Sequence, residues 1–180
     1  MGDAGPRCRG DRAGVTAGPA NIPGMWIRNT SRYSDARVRE LIEFATASVD
    51  MSGVCINVKN GALGGGAYNG VPEISNAPRK ASYLVTLRLG RGNEHWPLGP
   101  VNYHFRAPHE TGPRNRFPFF VCRDWREWLV KLAAHEARHI AQFRSGGSTS
   151  EIECELFAVG MLERYREARE APLQLALPGL

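Results

Sequence analysis

The chain has 180 residues, 42% of them hydrophobic, and a formal charge of +5 from 23 Lys and Arg against 18 Asp and Glu. This is one domain's worth of sequence with enough apolar content to bury a core, which excludes a disordered polyelectrolyte, and no apolar run approaches the ~20 residues of a membrane span. Cys8, Cys55, Cys122 and Cys154 stand far apart with no C-x-x-C pair, so neither a disulfide framework nor a cysteine-based zinc site is expected.

Residues 1–23 are rich in Gly, Ala, Pro and Arg without periodicity and read as a disordered segment ahead of one globular domain over 24–170. They lack the apolar centre of a signal peptide, so the expected compartment is the cytoplasm, with no membrane partner. Met25 to Thr30 reads as a short strand. Ser34 then caps a helix whose apolar residues Val38, Leu41, Ile42, Ala45 and Val49 recur at the helical period and which ends near Gly53. Val54 to Val58 alternates as a strand.

Gly61 to Gly70, followed by Pro72 and Pro78, reads as a long loop. It lacks the Gly-Lys-Ser/Thr of a phosphate-binding loop and is instead a candidate flap over a substrate cleft. Ser82 to Leu89 alternates strongly, with Tyr83, Val85, Leu87 and Leu89 on one side, and is the candidate edge strand for aligning an extended peptide. Gly90 to Pro118 is loop-rich and carries Trp96, His95, His104 and His109. Phe117 to Arg123 reads as a last strand.

Asp124 opens a helix to Arg144, with Glu127 three residues on, Trp125, Trp128, Leu129, Leu132 and Ala133 at helical spacing, and Gly146 and Gly147 as the stop. After the short turn Ser145 to Thr149, a second helix begins at Ser150, runs through Met161, Leu162 and Tyr165, and stops before Pro172. Residues 171–180 are then a flexible tail. The order β-α-β-β-β-α-α gives an α+β domain: a small sheet, one helix before it and a helical hairpin after it.

The first helix of that hairpin carries His135-Glu136-Ala137-Arg138-His139. Imidazoles four residues apart share a helix face and can grip one Zn²⁺, while Glu136 sits beside the open coordination position where it can act as general base on a water. Two histidines need a third protein ligand, and Glu151, Glu153 and Glu155 compete for it. Glu151 and Glu155 are i,i+4 and share a face, so one can bind metal while the other orients a histidine. Glu153 forms a capping box with Ser150. The ligand ranking is Glu151, then Glu153, then Glu155.

H-E-x-x-H followed by E-x-x-x-E-x-x-A over Glu151 to Ala158 resembles the gluzincin metallopeptidases, and the compact layout is similar to SprT-like and ImmA/IrrE-type cytosolic proteins. The resemblance implies a zincin-like domain, a Zn²⁺ cofactor, a protein or peptide substrate, Glu151 as ligand and Glu155 behind a histidine. Departures are the short gap between His139 and the second helix, and glutamate at 155 where aspartate or asparagine is commoner. Tyr165, Arg138, His104 and His109 are candidates for stabilising an oxyanion, with Tyr165 first.

The alternative is a zincin-fold regulatory or DNA-associated module in which zinc is structural, since the arginine-rich charge permits phosphate contacts. The tail Gln174-Leu175-Ala176-Leu177-Pro178-Gly179-Leu180 resembles the peptide by which bacterial replication proteins dock on the sliding clamp.

Overall fold

A computed structural model describes residues 24–71, 77–102 and 118–175. The expected disordered segment 1–23, His104, His109 and the end of the tail lie outside the described residues. The elements are β1 (Met25–Asn29), α1 (Asp35–Thr46), β2 (Val54–Lys59), β3 (Gly61–Asn69), β4 (Tyr83–Gly90), β5 (Leu98–Asn102), β6 (Phe119–Cys122), α2 (Trp125–Ser145) and α3 (Glu151–Leu175). They form a mixed α+β structure. Four strands make one sheet in the order β1-β2-β4-β3, and β5 and β6 pair separately as an antiparallel ribbon.

In the larger sheet β1, β2 and β4 run parallel while β3 runs antiparallel to β4. Val54, Ile56 and Val58 of β2 and Val85, Leu87 and Leu89 of β4 are buried. Val38, Leu41, Ile42 and Ala45 of α1 and Leu129, Ala133, Ala137 and Ile140 of α2 join the same apolar cluster, as do Ala158, Met161 and Leu162 of α3. The periods of two in β4 and 3.6 in α1 and α2 are those legible in the sequence. Among the described residues, no helix is long and apolar enough to cross a membrane.

Several expectations need correction. Gly61 to Gly70 is not a loop: Gly61–Asn69 is strand β3, whose glycines give no side-chain alternation and so hide its period. Consequently β4 lies inside the sheet, and the strand at its end beside α2 is β3. The final helix passes through Pro172 to Leu175; the missing N–H of Pro172 forfeits one hydrogen bond near a helix end, where the bond is most easily replaced by water. The ribbon strand β5 was not anticipated, and α1 stops at Thr46 rather than near Gly53.

The helix that matters most is firmly delimited. Asp124 accepts from the backbone N–H of Arg126 (2.8 Å) and Glu127 (3.0 Å), and Gly146 closes the helix at φ 67°, a left-handed conformation suited to glycine. Glu127, buried, accepts from the Arg123 N–H (2.8 Å) and from Arg166 of α3 (2.7 Å), tying the helix start to its neighbour. Replacing Asp124 by Ala is expected to lower the unfolding free energy by about 1 kcal/mol. Urea denaturation checks this, and an unchanged midpoint would contradict the capping role.

Candidate metal centre

His135 and His139 lie one turn apart on α2, with ring centroids 5.0 Å apart and planes at 71°. The turn at Gly146 brings the first residue of α3, Glu151, back across them. His135 Nε2 is 3.2 Å from Glu151 Oε2 and His139 Nε2 is 3.3 Å from Glu151 Oε1. Donor atoms from all three residues fall within 4.8 Å of one another. The two imidazoles meet different oxygens of the one Glu151 carboxylate, and the three groups are close enough together that they could hold one cation. Two imidazoles and a carboxylate are a donor set that divalent transition ions accept.

Each histidine is backed on its other nitrogen. Glu155, fully buried, places Oε2 2.8 Å from His135 Nδ1, and Lys131 Nζ stands 2.6 Å and 2.7 Å from the two oxygens of the same carboxylate. Lys131 is itself buried, its ammonium 4.3 Å over the ring of Phe120. Behind His139 stands Gln142, with Oε1 3.2 Å from Nδ1. Glu153, the second-ranked ligand, is turned away: it pairs with Arg138 and accepts from Gln142 Nε2 at 3.0 Å, and its backbone N–H donates to Ser150 Oγ at 3.3 Å.

The remaining wall of the site is β3. Gly65, Gly66 and Ala67 line a cleft of about 290 Å³ together with His135, Glu136, His139, Phe143, Thr149 and Glu151. Gly65 approaches the helix closely: a Cβ there would fall on Glu136 Oε1 and 2.9 Å from Leu132 Cδ1, so the ends of those side chains would have to shift. Tyr165 is not brought to the cleft. It packs edge-on against Phe44, 5.5 Å between centroids, and lies 14 residues along α3 from Glu151, roughly 21 Å of helix. Arg138 is engaged with Glu153 and the Phe157 face.

Lys131 and Gln142 are not singled out for the site by the sequence, whereas the glycine-rich stretch expected to cover the cleft does reach it, as strand β3 through Gly65 and Gly66. A lysine one turn before His135 and a glutamine one turn after His139 were visible signals, but their partners come from α3 and could not be read from α2 alone. No protein-family profile, no curated protein and no solved structure matches this chain.

Burial opposes charge throughout the cluster, and the partners decide. Burial alone pushes the His135 imidazole down, yet its hydrogen bonds to Glu151 and Glu155 and the charge of Glu136 carry it from 6.5 up to about 9. Burial pushes Glu151 up, but the two imidazoles overcome it and hold the carboxyl at about 2. Glu136 has no such hydrogen bonds in that balance, and burial raises it. In the protein before metal uptake, the stability from Glu151 is complete above its usual 4.5 and fades as pH falls towards 2. That from His135 is complete below 6.5 and fades as pH rises through about 9.

A cation entering between those two values must displace the His135 proton. Metal uptake at pH 7.5 is therefore expected to release about one proton, read as a linear dependence of calorimetric heat on the ionisation enthalpy of the buffer. Heats independent of the buffer would contradict this.

Proposed function

We propose that this chain is a zinc-dependent endopeptidase with a zincin-like, gluzincin-type site, in which His135, His139 and Glu151 hold the metal and Glu136 is the general base. The supporting observation is that a carboxylate outside the donor group, Glu136, shares one cleft with the three donors and with the backbone of a strand at the end of the sheet.

Zinc bound there supplies Lewis acidity, lowering the pKa of water towards ~7 and polarising a peptide carbonyl. The chain's own groups do the rest. Backbone N–H and C=O groups of β3 pair with an extended substrate and set its scissile bond over Glu136. Glu136 takes the proton of the attacking water and passes it to the departing amine nitrogen. Its burial, which raises its proton affinity, suits the accepting role. Phe143 and Thr149 close the far wall, so the residue seated between them and β3 meets one aromatic face and one hydroxyl. Gly65 keeps the strand close enough to cover Glu136 without displacing it.

Glu136→Gln is expected to keep one zinc per chain while hydrolysis of an unfolded protein such as casein falls by at least ~10²-fold. In the same series Glu151→Ala should empty the site and Glu153→Ala should leave it filled, as metal analysis would register. Retained hydrolysis in Glu136→Gln, or a zinc-loaded wild type that cleaves nothing, would refute the peptidase reading and favour a binding module with structural zinc. Gly65→Ala should also lose about 10²-fold in turnover, because a shift of an ångström at the base is enough, with zinc content unchanged. Full activity there would mean that β3 does not press on Glu136.

A further inference from the structure

Gln142 sits at a junction of both helices and both kinds of ligand. Its Oε1 is 3.2 Å from the Ser150 backbone nitrogen and 3.2 Å from His139 Nδ1, and Cys154 Sγ is 3.4 Å away. Its Nε2 donates to the Ser150 carbonyl (3.3 Å) and to Glu153 Oε2 (3.0 Å). A backbone N–H can only donate and a carbonyl can only accept, so Ser150 fixes which end of the amide is oxygen. That oxygen faces His139 and can only accept. His139 must then carry a proton on Nδ1, so that Nε2, the nitrogen beside Glu151, is the one left to bind a cation once its own proton is displaced.

The same amide grips Ser150, the residue immediately before Glu151. We propose that Gln142 is the positioning residue of the metal centre: through one non-titrating amide it sets the tautomer of His139 and seats the start of α3 so that Glu151 meets both imidazoles. This rests on the reading of His135, His139 and Glu151 as metal ligands. The other neighbour of His139 Nδ1, Cys154 Sγ at 3.4 Å, does not fix the tautomer, because a thiol both donates and accepts weakly. On the opposite side of the centre, His135 has its own partner in Glu155, so loss of Gln142 acts on His139 and Glu151 and leaves the His135 to Glu155 bond in place.

The test compares the wild-type chain with Gln142→Leu, the double variant Gln142→Glu with Glu153→Gln, and Cys154→Ala. Zinc dissociation constants are measured by chelator competition, and the His139 ring nitrogens are assigned by long-range ¹H–¹⁵N NMR of the zinc-loaded proteins. Gln142→Leu, which keeps the bulk and removes the acceptor, should weaken zinc about 10- to 100-fold and lose the uniform Nδ1–H, Nε2-bound signature of His139. The double variant Gln142→Glu with Glu153→Gln keeps an acceptor towards Ser150 and His139 and returns an amide donor to face the new carboxylate, so it should retain that signature and bind zinc more tightly than the leucine variant. Cys154→Ala should stay within about threefold of wild type, a margin well below the loss expected for an orienting partner.

Wild-type zinc affinity in Gln142→Leu, or a double variant no better than leucine, would overturn the proposal while leaving the metal centre intact. Where Gln142→Leu fails to fold, the wild-type spectrum decides: Nδ1–H with Nε2 bound to metal upholds the assignment, and the reverse tautomer defeats it. A wild type that binds no zinc would overturn the metal reading and this proposal together.

Discussion

The structure depends on a polar seam inside an apolar interface. Where α2 meets α3, Lys131, His135, Glu136, His139, Gln142 and Glu155 are all buried among leucine, alanine and methionine side chains. A lone charge in such surroundings is untenable, and removing one partner of a buried ion pair typically costs about 3–5 kcal/mol. Each group therefore dictates its neighbour. Glu155 is satisfied by Lys131 on one side and by His135 on the other, so the imidazole presents Nε2 to Glu151. Apolar replacement of a buried ion pair is often neutral or stabilising, so what the Lys131 and Glu155 pair adds here is the orientation of His135.

The two histidines are supported in different ways. Behind His135 is a charged chain, Glu155 and Lys131, running sideways within the helix pair. Behind His139 is a neutral amide that also ties down the turn before α3. Both supports rely on α3 returning promptly, and that return is set by Gly146 at positive φ and by the Ser150 cap over Glu153. A short connection thus couples helix capping to ligand geometry. The β3 strand completes the arrangement from the sheet side, reaching Glu136 because its glycines occupy no space there.

Much of this was legible in the sequence. Asp124, Gly146 and the apolar spacing between them marked α2, and four-residue spacing placed His135 and His139 on one face. The spacing of Glu151 and Glu155 separated a residue facing the imidazoles from one behind them, while Glu153 had its capping role. Other features were hidden for physical reasons. Alternation cannot be seen where the side chains are hydrogens, so the sequence of β3 reads as a loop and leaves β4 as the apparent edge, whereas β3 lies outside it. Pairings across the seam, Lys131 with Glu155 and Gln142 with Ser150, join residues on different helices whose rotation about each other is fixed only by packing. Tyr165 looked available as a polar group near the end of the pattern, yet the length of α3 carries it into the core beside Phe44.

The central claim is a cation held by two imidazoles and one carboxylate, with no thiolate. Cys154 gives that claim a sharp alternative, since its sulfur lies 3.4 Å from His139 Nδ1 within the same seam. X-ray absorption at the zinc edge of the loaded wild-type protein separates the two. The account predicts a coordination shell of nitrogen and oxygen at about 2.0–2.1 Å with the outer scattering of two imidazoles. A sulfur shell at about 2.3 Å, or a spectrum without imidazole scattering, would contradict it.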